Sequence, residues 1–308
     1  MSHQKKAFGR TGFEATRLGF GAMELAAFAG AAAEKDAERL LNGVLDSGIN
    51  FIDTSPDYGV SEEMIGKHLE HRRDEYFLAS KCGCIVGRQP EFRDGKLEHD
   101  FSCENVRAGV EQSLRRIKTD HLDLVQIHSS PSRTLIEEQE TVEEMRALRD
   151  EGKVRFLGMS SVLPDLEGHI AMGVFDAFQI PYSALQPEHE DVISRAAASG
   201  AATIIRGGVA RGAPAPDQNE SRQHDFWQEF IGEKRDVWAR ANLDELLGDM
   251  SRMEFMLRFV LAHPDLDTTI VGTKNPDHLS ANVRAAEKGP LPEDLRDEAR
   301  QRIRELAG

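Results

Sequence analysis

The feature that most constrains this chain is an alternation repeated eight times: a short apolar run, then a segment with helical spacing. The runs are LGFGAM (18–23), NFIDTS (50–55), YFLASKC (76–82), LDLVQIH (122–128), RFLGMSS (155–161), AFQIPYS (177–183), ATIIRGG (202–208) and TTIVGT (268–273). Each has the length of a strand buried on both faces. Between them, AEKDAERLLNGVLDSG puts Ala37, Leu40, Leu41, Val44 and Leu45 on one stripe and stops at Gly48. SCENVRAGVEQSLRRI opens on Ser102, an N-cap residue type, and TVEEMRALRDEG ends at Gly152. Strand then helix, repeated, means parallel strands with helical crossovers. Eight units in 308 residues favour a closed (β/α)8 TIM barrel, α/β in class and one domain over 1–308, above an open doubly wound sheet. LGFGAMEL also lacks the G-x-G-x-x-G of a Rossmann turn.

Two segments break the rhythm. FGRTGFEATR (8–17) predicts a β-hairpin before the barrel. The stretch 213–250 opens on a Pro-rich cluster and carries both tryptophans, Trp227 and Trp238. It reads either as a lid or substrate loop, or as a helical insertion packed on the barrel. A net charge of −15 disfavours nucleic acid and anionic membranes as partners. No window reaches the ~18 apolar residues of a membrane span. MSHQKKAFGRTG lacks a signal-peptide core, and three clustered cysteines make no disulfide framework, so a reducing cytoplasm is expected.

In a barrel, chemistry sits at the C-terminal strand ends. Read in order, those ends carry Asp53 with Tyr58 just beyond, Lys81, His128, Ser160 and Ser161, Gln179 and Arg206. One such residue alone would be a cap or a core partner; their recurrence on successive strands is informative. FGRTGFEATRLGFGAM, NFIDTSPDYGVSEEMIGKHL, LASKCG, LDLVQIH, FLGMSS and VGTKNPDHLSAN together resemble an aldo-keto reductase, in the right order from about Phe8 to about Ala286. The resemblance implies a (β/α)8 barrel that binds NADPH across its top and reduces aldehydes or ketones.

It also implies a catalytic tetrad of Asp53, Tyr58, Lys81 and His128. The roles make physical sense. Hydride delivery leaves charge on the carbonyl oxygen, which needs a proton. An unperturbed phenol is a poor acid at neutral pH, and a neighbouring ammonium favours its ionised form. Tyr58 is then the acid, Lys81 tunes it, Asp53 holds Lys81, and His128 polarises the carbonyl. Asp57 reads only as a turn residue.

By the same resemblance, Ser160 and Gln179 receive the nicotinamide carboxamide, and Gly21, Ala22 and Met23 bring backbone to the cofactor. Ser161 stands where the family usually has Asn. Gly272, Thr273 and Lys274, with His278 and Asn282, match the adenosine-phosphate site. Lys274 favours NADPH over NADH, because a 2′-phosphate needs a cation. The seventh unit reads IIRGGVARG where the family often carries an aromatic that stacks on the nicotinamide. Arg206 takes that place; its planar guanidinium can stack on or bond near the nicotinamide, or else turn away to pair with an acid. Gly207, Val209, Arg211 and Gly212 shape the diphosphate loop. Specificity is expected from loops 24–34, 85–100 and 213–250, with Phe28, Phe92, Trp227 and Phe230.

No metal is expected. The C-G-C at 82–84 has no matching second half, and Glu188-His189-Glu190-Asp191 reads as a solvated helix start. A small carbonyl substrate is the expected partner; oligomeric state is open. The rival function is a cofactor-binding sensor or regulatory subunit with little turnover, like the family's potassium-channel beta subunits.

Overall fold

Every apolar run becomes a strand. The computed structural model describes residues 4–28, 31–88, 91–93, 96–212 and 225–307. β1 (Lys5–Ala7) and β2 (Glu14–Thr16) pair as the antiparallel hairpin. β3 (Leu18–Gly21), β4 (Phe51–Asp53) and β5 (Phe77–Cys82) follow, then a two-stranded ribbon of β6 (Phe92–Arg93) and β7 (Lys96–Leu97). β8 (Leu122–Ile127), β9 (Val154–Ser160), β10 (Ala177–Pro181), β11 (Ala202–Arg206) and β12 (Thr268–Val271) complete the set. The barrel runs β3-β4-β5-β8-β9-β10-β11-β12, and β12 pairs back onto β3. Closure leaves the sheet no edge.

The surrounding helices are α1 (Ala31–Asp46), α2 (Ser61–Leu69), α3 (Cys103–Ile117), α4 (Arg133–Glu138), α5 (Thr141–Asp150), α6 (Asp165–Met172), α7 (Glu190–Ala198), α8 (Asp225–Arg240), α9 (Arg252–Leu261), α10 (Pro276–Glu287) and α11 (Glu293–Ala307). The expected stripe of α1 is buried along its length, and Ser102 caps α3 by accepting from the Asn105 N–H. α7 starts as expected, but its cap is not solvated. His189 is buried, its Nε2 accepting the Leu163 N–H at 3.1 Å, and Glu190 pairs with Arg300.

Side chains alternate along a strand, so every second residue enters the barrel. Phe51, Phe77, Ala79, Leu124, Ala177, Ala202 and Ile204 form one inner cluster. The hairpin plugs that end: the Phe8 ring lies 5.3 Å from Phe51 and 5.2 Å from Phe77. One step further along each inward row the chemistry changes. Phe51 gives way to Asp53, Ala79 to Lys81, Leu124 to Gln126, Ala177 to Gln179 and Ile204 to Arg206.

Of the long excursion, residues 213–224 lie outside the described residues, as do the side chains of Arg211, Trp227 and Phe92. Trp238 in α8 takes the packing role: it is buried against Phe255, 5.8 Å between rings, and its Nε1–H donates to Asp244. Phe230, half-buried, packs on the same core with Lys234 over its ring.

Candidate active site

The polar layer at the mouth is organised around Asp53. Its Oδ2 accepts from Lys81 Nζ at 2.7 Å, and its Oδ1 accepts from Gln126 Nε2 at 2.9 Å and Gln179 Nε2 at 2.8 Å. Lys81 also donates to the Thr54 carbonyl at 2.8 Å. All four of these side chains are buried. Burial works against the Lys81 ammonium, but the Asp53 carboxylate and then Tyr58 hold it above the ordinary lysine value. An ion pair this deep needs such partners: both Asp53 oxygens accept from buried donors, while Gln126 Oε1 has no partner among the described residues. Sequence reading passes over Gln126. Its signal is period two: it is the inward residue immediately before His128 on the same strand row.

Tyr58 stands in the loop after β4, with Lys81 Nζ 5.0 Å from its ring centroid. The ring meets that of His128 edge-on, 6.3 Å between centroids. Burial takes the His128 imidazole down to about 4, against the opposing pull of Asp57, so it is neutral at neutral pH. The four residues of the expected tetrad therefore converge at one end of the barrel.

Asp57 departs from its reading as a turn residue. Its carboxylate turns inward, Oδ2 lying 3.2 Å from His99 Nε2 and 3.3 Å from His128 Nδ1. Burial favours its neutral form, but the imidazoles of His128 and His99 and the Cys84 thiol hold it well below the ordinary carboxylate range.

The expected cofactor residues ring the same mouth. Ser160 Oγ donates to Gln179 Oε1 at 3.4 Å, so Gln179 is engaged at both ends of its amide. Ser161 turns to neighbours of its own: its Oγ is 2.9 Å from Ser130 Oγ and 2.8 Å from His169 Nδ1. Arg206 is half-buried and makes no hydrogen bond or ion pair with a described side chain. Burial pulls its guanidinium below the ordinary value, while Tyr58 and Asp53 pull it up. It faces the cluster and does not turn away to an acid among the described residues. Ala22 is buried, its carbonyl accepting from Ser61 Oγ at 3.0 Å; Met23 is half-buried. A Cβ on Gly272 would lie 2.6 Å from the Gly21 carbonyl oxygen, so the ends of β3 and β12 meet where no side chain fits. Gly207 has φ +71°, a left-handed turn that glycine adopts freely. Val209 and Gly212 are buried in the turn that follows.

Beyond β12, the Thr273 hydroxyl accepts the Asn275 N–H at 3.0 Å and Asn275 caps α10. Lys274 is exposed just before this helix start and makes no ion pair with a described residue. Exposed His278 and half-buried Asn282, four residues apart, share one face of α10. A helix N-terminus that follows an exposed lysine fits a phosphate-bearing cofactor.

Among the described residues no helix is long and apolar enough to cross a membrane. The family model for the Aldo/keto reductase family matches residues 17–302. The "Uncharacterized oxidoreductase YqkF" of Bacillus subtilis (strain 168) is 27% identical over 299 residues, 94% of this chain and 94% of its own. The "L-galactose dehydrogenase" of Arabidopsis thaliana is 36% identical over 167 residues, 52% of this chain and 49% of its own. Among solved structures, the "aldo-keto reductase AKR11C1 from Bacillus halodurans (holo form)" superposes with a TM-score of 0.78 at 30% identity, over 99% of this chain and 96% of that one.

Proposed function

This chain belongs to the Aldo/keto reductase family, and from that premise we propose that it is an NADPH-dependent reductase of an aldehyde or ketone, with Tyr58 as the proton donor. The observation that carries the reading is the buried Lys81–Asp53 pair, 2.7 Å apart, lying under the Tyr58 ring at the barrel mouth. NADPH, when bound, supplies the hydride. Lys81, kept charged by Asp53, favours the phenolate that Tyr58 becomes once its proton has left for the carbonyl oxygen. Gln126 and Gln179 fix Asp53, so the ammonium has one position. Neutral His128 orients the carbonyl oxygen by hydrogen bonding. Ser160 and Gln179 would hold the carboxamide, Arg206 the nicotinamide face, and the Gly207–Gly212 turn the diphosphate. Lys274, His278 and Asn282 would receive the 2′-phosphate. The protein is read as one barrel domain over 1–308, working in the cytoplasm.

The test is NADPH oxidation with a panel of aldehydes and aldoses, run beside NADH. The sugar substrates are included because the Arabidopsis relative is named for one. Tyr58→Phe is expected to lose about 10²–10⁴-fold in kcat, the usual worth of a positioned acid, and to keep its NADPH affinity. Wild-type turnover in that variant would remove Tyr58 from the role. NADPH binding with no turnover of any substrate would turn the reading into a cofactor-sensing subunit.

A further inference from the structure

Four side chains from four separate segments meet beside His128. Asp57 lies in the loop after β4, Cys84 just past β5, His99 just past β7, and His128 at the end of β8. Their donor atoms all lie within 4.8 Å of one another. The measured edges are 3.2 Å from His99 Nε2 to His128 Nδ1, 3.2 and 3.3 Å from Asp57 Oδ2 to those two nitrogens, and 3.6 Å from Cys84 Sγ to His128 Nδ1. Zinc–nitrogen and zinc–oxygen bonds of about 2.0–2.2 Å and a zinc–sulfur bond of about 2.3 Å give tetrahedral edges of about 3.3–3.4 Å and about 3.6 Å. These four of the six edges agree within about 0.2 Å, and the two from Cys84 to Asp57 and His99 lie within 4.8 Å. The cluster is also interior: the His99 side chain is 4% exposed and that of Asp57 10%.

Hydrogen bonding leaves one buried acceptor of this cluster unmatched among the described residues. The Leu97 carbonyl can only accept, so His99 Nδ1 carries the hydrogen at 2.7 Å and a neutral ring turns its Nε2 lone pair inward. The Ser129 hydroxyl, 3.2 Å away, can donate to that lone pair, which otherwise faces the Asp57 carboxylate; Asp57 Oδ2 is buried with no hydrogen-bond partner among the described residues. Asp57 Oδ2 is the acceptor left over, and a cation at the centre would satisfy it. The rival occupant is a proton on His99; it would serve the Asp57 edge and leave Cys84 Sγ with only the weak hydrogen bonds of a thiol, to Ser55 Oγ at 3.5 Å and His128 Nδ1 at 3.6 Å.

We propose that Asp57, Cys84, His99 and His128 bind one zinc-class divalent metal ion in a four-coordinate site adjoining the catalytic centre. Two imidazoles, a thiolate and a carboxylate are a donor set of borderline softness that suits zinc above magnesium or calcium. Binding converts the Cys84 thiol to a metal-bound thiolate and releases one proton to solvent. Coordination through Nδ1 leaves the hydrogen of His128 on Nε2, as a donor; this consequence rests on the reductase reading, whereas the site does not.

The test uses the whole protein, stripped with chelator and titrated with Co²⁺ alone. One equivalent should bind and give tetrahedral ligand-field bands with a sulfur-to-cobalt charge-transfer band, and added Zn²⁺ should bleach both. Cys84→Ser should lose the charge-transfer band, and Cys103→Ser should keep it. His99→Gln lies on an excursion from the barrel and should weaken binding by more than about 100-fold, beyond the 10–100-fold that loss of an outer partner costs. Wild type that takes up no stoichiometric Co²⁺ overturns the proposal, as does a band that survives Cys84→Ser or affinity that ignores His99→Gln. NADPH turnover is scored separately, so a failed metal titration leaves the reductase reading standing, and the reverse.

Discussion

Phe51 and Asp53 are two residues apart on one strand, point the same way, and stand in opposite chemistries. Below, Phe8, Phe51 and Phe77 fill the barrel with rings 5.2–5.5 Å apart. Above, Asp53, Lys81, Gln126 and Gln179 make a set of charge-assisted hydrogen bonds centred on Asp53 in equal burial. The strand backbone is common to both, so the fold does not dictate either filling. The lower filling is what closes the barrel. The upper one costs desolvation and is recovered only while every partner is present.

The largest expected effect comes from breaking the upper set. Lys81→Met leaves the Asp53 carboxylate buried with two amide donors and no hydrogen-bonded counter-charge. It should cost about 3–5 kcal/mol in chemical denaturation and abolish the proposed turnover. The double variant Lys81→Met/Asp53→Leu should recover much of that stability, because no lone charge remains, and none of the turnover. A double variant as unstable as the single one would mean the pair is structural cement.

Phe77→Ala strikes the lower filling. The ring meets Phe8, Phe13, Phe51 and Phe156, so its removal opens a cavity that rigid strands cannot close. The cost should again be about 3–5 kcal/mol. Here kcat per folded molecule should stay near wild type, which makes the total effect smaller. A kcat that falls in step with stability would show that the two ends are coupled and the comparison fails.

How much of this could be read in the residues follows the same division. Strand period and helix stripes are local, so the barrel was legible. Asp53, Tyr58, Lys81 and His128 were legible because strand ends are where a barrel displays its chemistry. Gln126, level with Lys81, went unread because it is uncharged and lies inside an apolar run whose visible end is His128. Gln179 was read for its rim position alone, and its grip on Asp53 needs a partner 126 residues away. Asp57, Cys84 and His99 belong to three loops, with no spacing rule linking them. Only the closed barrel and the β6–β7 ribbon bring them to His128. Trp238 followed packing because its indole N–H found Asp244, a partner no sequence period reveals.

The smallest expected effect is one of pH, and it probes the rim without touching the charged pair. His169 is buried, its Nε2–H donating to the Pro131 carbonyl at 2.9 Å and its Nδ1 accepting from Ser161. Burial holds its imidazole below the ordinary value of 6.5, the carbonyl opposing. The sign follows: below pH 6.5 the unfolded chain takes up a proton that the folded chain refuses, so stability falls as pH drops. Above 6.5 both states are neutral and the term vanishes. His263, near the start of β12, is buried and shifted the same way for the same first reason, so the two ends of the barrel should lose stability together in acid. His169→Gln keeps a donor for Pro131 and removes the titration. Its denaturation midpoint should therefore decline less steeply than wild type between pH 6.5 and 5, with the curves parallel above 7. Equal slopes throughout would mean that the rim tolerates the charged imidazole, and that the desolvated character assigned to this end of the barrel stops short of Ser161.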